Sequence, residues 1–311
     1  MKRLIVLFLF IILAAGCVEE FDLKLKDAEP RLVVEGFVSN LPGPYYVRLT
    51  KSTPGGVTSI VDNSYYNRTD SAEPVKNATV IISDDFNQID TLKYYIVDID
   101  DHKYHDIVFS YNSGFYKTSR LKGIAGRTYY LKIIAEGKEY RASAYMPPVP
   151  EIDSLGYYLK KTEMEGKWDT YVPLLYFKEP QGIKNYYLIQ LRDDIHLRIF
   201  NSNVLWQCSI LSDEFLKPYV NGLNVSLGAT PRGINSLPIY SADDSIYVAL
   251  SSLTKESYNY YKALLDQFEN DGGTYKPTPA SPQGNISNGG LGLFRASAVS
   301  EKRTYIPRTS N

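Results

Sequence analysis

Histidine, cysteine and tryptophan are scarce in this chain, at 3, 2 and 2 of its 311 residues. So few imidazoles and thiols leave little material for a His-based triad or a Cys-rich zinc site. The nucleophile-elbow pattern Gly-x-Ser-x-Gly, the pattern His-Glu-x-x-His and the phosphate loop Gly-x-x-x-x-Gly-Lys are absent too. The expectation is a protein that is not an enzyme and carries no cofactor. An excess of one charge is also missing, with 34 Lys and Arg against 35 Asp and Glu. That balance argues against a phosphate-neutralising nucleic-acid surface. A long apolar run occurs once, from Leu4 to Leu13. It falls short of the roughly 20 residues a spanning helix needs, so no transmembrane helix is expected.

What that run does have is the right flanks for export. Lys2 and Arg3 precede it, and Ala14, Ala15 and Gly16 lead from it into Cys17. A basic start, an apolar core and small residues before a cut make a secretory signal. A cysteine at that position is the site for a diacylglycerol thioether, and the run resembles a bacterial lipobox. Ala14 stands where Leu or Val is commoner, which leaves an ordinary signal-peptidase cut as the alternative. Residues 1–16 are thus expected to be removed and Cys17 to be lipidated. Loss of Lys2 and Arg3 then takes the formal charge from −1 to −3. Glu19, Glu20 and Asp22 follow the cysteine. They resemble the acidic signal that sends lipoproteins to the outer leaflet of the outer membrane, so a cell-surface location is expected, with the periplasmic face as the alternative. The other cysteine, Cys208, cannot pair with a lipidated Cys17 and reads as a buried apolar residue.

The abundant residue is tyrosine, at 27. Tyr combines β propensity with a ring that packs and a hydroxyl that hydrogen-bonds, which suits a β-rich protein and also a contact surface. Strand-like segments lie at 31–38, 45–50, 78–83, 89–97, 114–118, 128–135 and 139–145, with Gly137-Lys138 as a tight hairpin turn. Seven short strands in this space predict an immunoglobulin-like β-sandwich over 31–146, after an acidic tether at 17–30. Met146-Pro-Pro-Val-Pro150 is a stiff boundary. A second β-rich domain is expected over 151–311, with strands at 154–159, 172–177, 186–192, 197–199 and 245–251. One helix is expected at 255–269, capped by Thr254 and closed by Gly272-Gly273. Its stripe of Tyr258, Tyr261, Leu265 and Phe268 should pack on a sheet. The fold class is therefore mostly β with one helix.

Three stretches together are similar to a known family. They are Phe21-Asp22-Leu23 with Pro30-Arg31-Leu32-Val33-Val34-Glu35-Gly36, then Gly126-Arg127-Thr128-Tyr129-Tyr130-Leu131 running to Met146-Pro147-Pro148. The third is Tyr258-Asn-Tyr-Tyr261 with Gly284-Asn285-Ile286-Ser287-Asn288-Gly289-Gly290-Leu291-Gly292. The chain resembles the Bacteroidetes lipoproteins of the "domain of unknown function 4249" family. The resemblance implies a cell-envelope lipoprotein, often encoded beside a TonB-dependent outer-membrane receptor. It implies no catalytic residue, because the family has none established.

Three clusters are candidates for contact. The polar stretch Ser52 to Pro74, with Tyr65 and Tyr66 at its centre, is a long loop suited to meeting a partner. Trp168, Tyr171 and Trp206 are candidate platforms for a glycan or peptide. Asn285 and Asn288, in the glycine-rich segment, could offer hydrogen bonds to an anion or a glycan hydroxyl, or could belong to a tight structural loop. Asp98, Asp100, Asp101, His102, His105 and Asp106 supply metal-ligand chemistry without a matching spacing, and a solvated acidic turn is the favoured reading. The functional expectation is an accessory binding lipoprotein that meets a TonB-dependent receptor in nutrient uptake. Direct glycan or peptide capture is the alternative, and a hydrolase with an unrecognised site the last choice.

Overall fold

The computed structural model describes residues 29–52, 73–96, 114–161, 170–191, 208–225, 240, 242–269 and 282–308. Among them the protein is mostly β, with fifteen strands and one α-helix. The first seven strands are β1 (Leu32–Ser39), β2 (Tyr46–Lys51), β3 (Thr79–Asp84), β4 (Ile89–Tyr95), β5 (Phe115–Lys117), β6 (Thr128–Ala135) and β7 (Lys138–Tyr145). They match the expected segments to within two residues. The turn between β6 and β7 falls one residue earlier than expected, at Glu136-Gly137, with φ of 51° and 75°. Two left-handed residues in a two-residue loop give the twist that antiparallel neighbours need.

Alternation builds the core of this region. In β6 the side chains of Tyr129, Leu131, Ile133 and Ala135 are buried, while Tyr130 and Ile134 are exposed. Across the core, Val34, Val38, Val47, Leu49, Val80 and Ile82 pack against them. Val80 and Ile82 are fully buried, each worth about 2 kcal/mol relative to exposure. Tyrosines do a second job here. The hydroxyl of Tyr116 donates to Val75 O at 2.8 Å and accepts from Ala78 N at 3.0 Å. That of Tyr45 donates to Leu41 O at 2.7 Å and accepts from Gly123 N at 2.9 Å. Tyr129 does the same with the amide and carbonyl of Ile124. Each ring fills the core and each hydroxyl stitches a connecting segment to it.

With β14 (Leu291–Ser297), the sheet that results has eight strands, in the order β14-β1-β2-β5-β4-β3-β6-β7. Strand β4 joins its two halves, pairing with β3 through Ile89–Leu92 and with β5 through Lys93–Tyr95. The eighth strand, β14 (Leu291–Ser297), arrives from the far C-terminal part of the chain and runs parallel to β1. The sheet curls until its two edge strands face one another. Residues 285–288, just before β14, then bond to β7, so the sheet is nearly a barrel.

The remaining strands form two sheets. One carries β11 (Cys208–Ser212), β10 (Tyr186–Gln190), β13 (Ser245–Leu253) and β15 (Val299–Tyr305), in that order; the other carries β12 (Tyr219–Asn224), β9 (Thr170–Lys178) and β8 (Ile152–Lys160). They face each other over Leu155, Leu175, Phe177, Tyr187, Ile189, Ile246, Val248 and Leu250. The expectation had one final strand where there are two, broken at Ala298, and it had no strands at 208–212 or 219–224. The expected strand at 197–199 lies outside the described residues.

Helix α1 (Lys255–Glu269) has the predicted bounds. Thr254 Oγ1 accepts from Ser257 N at 3.2 Å, the bond of an N-cap. Tyr261 packs on Leu188, Leu253 and Leu293, and Tyr258 stacks on Tyr186 at 4.8 Å. The apolar stripe is therefore spent on joining the second region to the outside of β14. Gly272 and Gly273, and the side chains of Phe268 and Cys208, lie outside what is described.

Candidate contact site

The first region has two ends. At one, β1 begins, the β6–β7 hairpin turns, and the stem of the Ser52–Pro74 loop is fastened. Lys51 N donates to Glu73 O at 2.9 Å, and Thr50 bridges Pro74. Ser52 N donates to Arg31 O, and Arg31 N donates to Ser52 Oγ, both at 2.9 Å. The Lys51 ammonium bridges Glu136 at 2.7 Å and Glu73 at 3.4 Å. The hydrogen bond to Glu136 is the main reason its pKa is raised, with Glu73 adding to it and desolvation opposing. The chain thus leaves at Ser52 and re-enters at Glu73 close to Arg31 and the start of β1.

The Gly284–Gly292 segment lies at the same end and works as a clasp. Asn285 Nδ2 donates to Ser143 O on β7 at 2.9 Å and to Phe294 O on β14 at 2.8 Å; its Oδ1 accepts from Phe294 N at 2.9 Å. Ser287 N donates to Arg141 O at 2.8 Å, and Arg141 N returns a bond to Ser287 Oγ at 2.7 Å. Asn288, itself left-handed at φ 53°, donates from Nδ2 to Glu139 O at 3.3 Å. Arg31 Nε donates to Gly289 O at 2.6 Å. A Cβ on Gly284 would collide with the carbonyl of Gly292, and one on Gly292, at φ 93°, with the carbonyl of Val34. Bare backbone is needed at both. Of the two readings the sequence left for Asn285 and Asn288, the contacts seen here are those of a structural seam.

Tyr171 lies elsewhere, at the start of β9. Its ring meets Tyr157 edge-on at 5.4 Å and packs on the second core. It is not brought near Asn285 or Asn288. Cys17, Tyr65, Tyr66, Asp98, Asp100, Asp101, His102, His105, Asp106, Trp168 and Trp206 all lie outside the described residues. Among the described residues, no group of three or more His, Cys, Asp or Glu is placed to hold a metal. No helix among them is long and apolar enough to cross a membrane.

A feature not foreseen from the sequence is a patchwork of rings and cations on the face of β2, β5 and β4 turned away from the first core, where Arg48 and Phe115 are themselves buried. Tyr46 sits between Tyr95 at 5.9 Å and Phe115 at 6.3 Å. Lys117 Nζ lies 4.2 Å over the Tyr95 ring, and the Arg48 guanidinium 5.5 Å over that of Phe115. Glu35 holds Arg48 at 3.3 Å. The signal was legible only after pairing, because Arg48↔Phe115 and Tyr46↔Lys117 are cross-strand neighbours far apart in sequence.

No curated protein matches the chain. Its motifs and its extent settle its kinship nonetheless: a match over residues 18–303 places the chain in the family described as "Domain of unknown function (DUF4249)".

Proposed function

We propose that the protein is a lipid-anchored outer-membrane lipoprotein, exposed at the cell surface, that acts without catalysis as a binding module for a TonB-dependent receptor in nutrient uptake. Lys2, Arg3, the Leu4–Leu13 run and Cys17 support the anchor, and Glu19, Glu20 and Asp22 support the outer leaflet. The observation that carries the partner reading is the shared end. Arg31, where the tether arrives, is hydrogen-bonded to the stem of the Ser52–Pro74 loop. A chain tethered at Cys17 would thus hold Ser52 and Glu73, the ends of the segment that carries Tyr65 and Tyr66, toward the membrane in which a receptor sits. The first region serves as a rigid scaffold of immunoglobulin-like type. Support for that finer assignment comes from its strand order, β1-β2-β5-β4 beside β3-β6-β7, and from Tyr129 at the start of β6, bonded back to Ile124.

Purification of the full chain from membranes in mild detergent tests the reading. A TonB-dependent receptor should accompany it, and Cys17→Ala should release the protein from the membrane fraction. If the wild-type chain emerges without a receptor, the partner reading fails.

Capture of a glycan is a second reading, favoured by one feature. On the face of β9 turned away from the core, Tyr176 lies against Gly156 and Gly222 on its two neighbours, 3.3 Å from where each Cβ would be. Tyr158, exposed nearby, accepts from Asn224 Nδ2 at 3.3 Å. Specific retention of a sugar by residues 18–311, lost in Tyr176→Ala, would favour it.

A further inference from the structure

We infer that Lys93 and Lys117, with the rings of Tyr46 and Tyr95 beside them, form a binding site for an acidic sugar. The two ammonium groups take its carboxylate and the rings take its flat face. The ligand class rests on the glycan reading above, while the site is separate from Tyr176 and lies on the first region. Cross-strand pairing assembles it. Leu92 and Tyr116 point into the first core, so their neighbours Lys93, Phe115 and Lys117 face the other way. The register sets Tyr46 opposite Lys117 and Lys117 opposite Lys93. In the next row Arg48 is opposite Phe115, and Phe115 opposite Tyr95.

Lys93 and Lys117 are like charges directly opposite one another on β4 and β5, an arrangement that costs stability. Among the described residues neither forms an ion pair. Lys117 Nζ rests instead on the Tyr95 ring, at 4.2 Å. Glu35, on the same face, is already engaged by Arg48 at 3.3 Å. Lys93, Lys117 and Arg48 therefore meet one carboxylate among the described residues of β1, β2, β4 and β5 that face this way. A ligand carboxylate set between the two ammonium groups turns their repulsion into a pair of attractions.

The rings narrow the class further. Tyr46 and Tyr95 are half-buried, with centroids 5.9 Å apart and planes tilted by 44°. Buried Phe115 backs Tyr46 edge-on at 6.3 Å. Rings ordered by packing before a ligand arrives lose little entropy on binding it. A tyrosine offers an apolar face to the C–H bonds of a pyranose and a hydroxyl to its oxygens. Strand β5, at the centre of the site, is paired on both sides, with β2 and with β4. It offers no open edge to an extended peptide, whose main chain is recognised at such edges. A sugar bearing a carboxylate uses both the rings and the ammonium pair.

The test titrates the full chain, extracted from membranes, with trigalacturonate, uncharged maltotriose and triglutamate. Trigalacturonate should bind, and Lys93→Ala with Lys117→Ala should weaken it about tenfold or more. The melting temperature of that double variant should not fall, because the change removes a repulsion. Tyr176→Ala, in the second region, should leave trigalacturonate binding unchanged. Lys93→Glu supplies a reading without ligand: it should raise the melting temperature, and no rise overturns the premise of an uncompensated pair. Equal affinity in the double variant, or no binding by wild type, overturns the site. The glycan reading then stands or falls separately, on retention of a sugar that Tyr176→Ala abolishes. Equal binding of triglutamate overturns the assignment to a sugar.

Discussion

Among the described residues the first region buries two carboxylates and the second buries one, and the two regions treat them in opposite ways. Asp84 and Asp90 face donors that suit a negative charge: a guanidinium, a carboxamide and backbone amides. Glu179, between β9 and β10, is held by neutral donors. Tyr187 Oη lies 3.0 and 2.9 Å from its two oxygens, and Asn185 Nδ2 donates at 2.8 Å. For Asp84, burial works to raise the pKa, but the bonds from Arg127, Gln88 and the amides of Gln88 and Phe86 outweigh it, and the carboxyl sits below its ordinary 3.8. For Glu179, burial prevails over the bonds from Asn185 and Tyr187, nearby Asp213 adds to it, and the pKa lies above 4.5. Burial also raises the pKa of Tyr187, with Glu179 adding to it. A buried carboxylate is thus an organiser where several donors converge and a liability where neutral ones do.

The largest effect should come from Asp84→Ala, which leaves Arg127 half-buried without its partner and the β3–β4 turn without its acceptor. A loss of about 3 kcal/mol in urea unfolding is expected; a loss under 1 kcal/mol would erase the contrast. Asp90→Asn keeps an oxygen for the three amides of residues 119–121 but removes the charge, so about 1 kcal/mol should be lost. The smallest effect belongs to Glu179→Gln, and its sign is the informative part. Because the folded pKa exceeds the unfolded one, folding favours the protonated acid. The wild type should lose stability as the pH rises from about 4.5 through the raised folded value. Glu179→Gln should flatten that slope and leave the protein no less stable near pH 7. Asp84 acts in reverse: its contribution is present above its unfolded value and fades as the pH falls through the lowered folded one. Urea titrations of the two variants between pH 3 and 8 therefore diverge from wild type in opposite directions.

Much of the fold was legible because alternation and turn chemistry are local. Strand β6 and helix α1 carry their own periodicity and caps, and both have the predicted bounds. What was not legible depends on partners distant in sequence. Strand β14 reads as a final strand of the second region, yet it pairs with β1. For Asn285 the structural reading was the favoured one and the ligand-facing one the alternative, and its partners, Ser143 and Phe294 on either side of it, appear only in the fold. The seam end, by contrast, was marked in the sequence by a run of glycines, for which a tight structural loop was the favoured reading.

The parallel pairing of β1 with β14 has a consequence for how the chain comes to be folded. Arg31 and Gly289, bonded across this seam, are 258 residues apart. During synthesis the first seven strands emerge long before the eighth exists. Until it arrives, β1 and β7 present open edges of the kind that recruit other chains. Long-range pairing of this sort also slows folding. The nascent protein therefore spends its early life as an unclosed sheet, and a chain that ends before Gly284 is expected to aggregate rather than to yield a smaller stable domain.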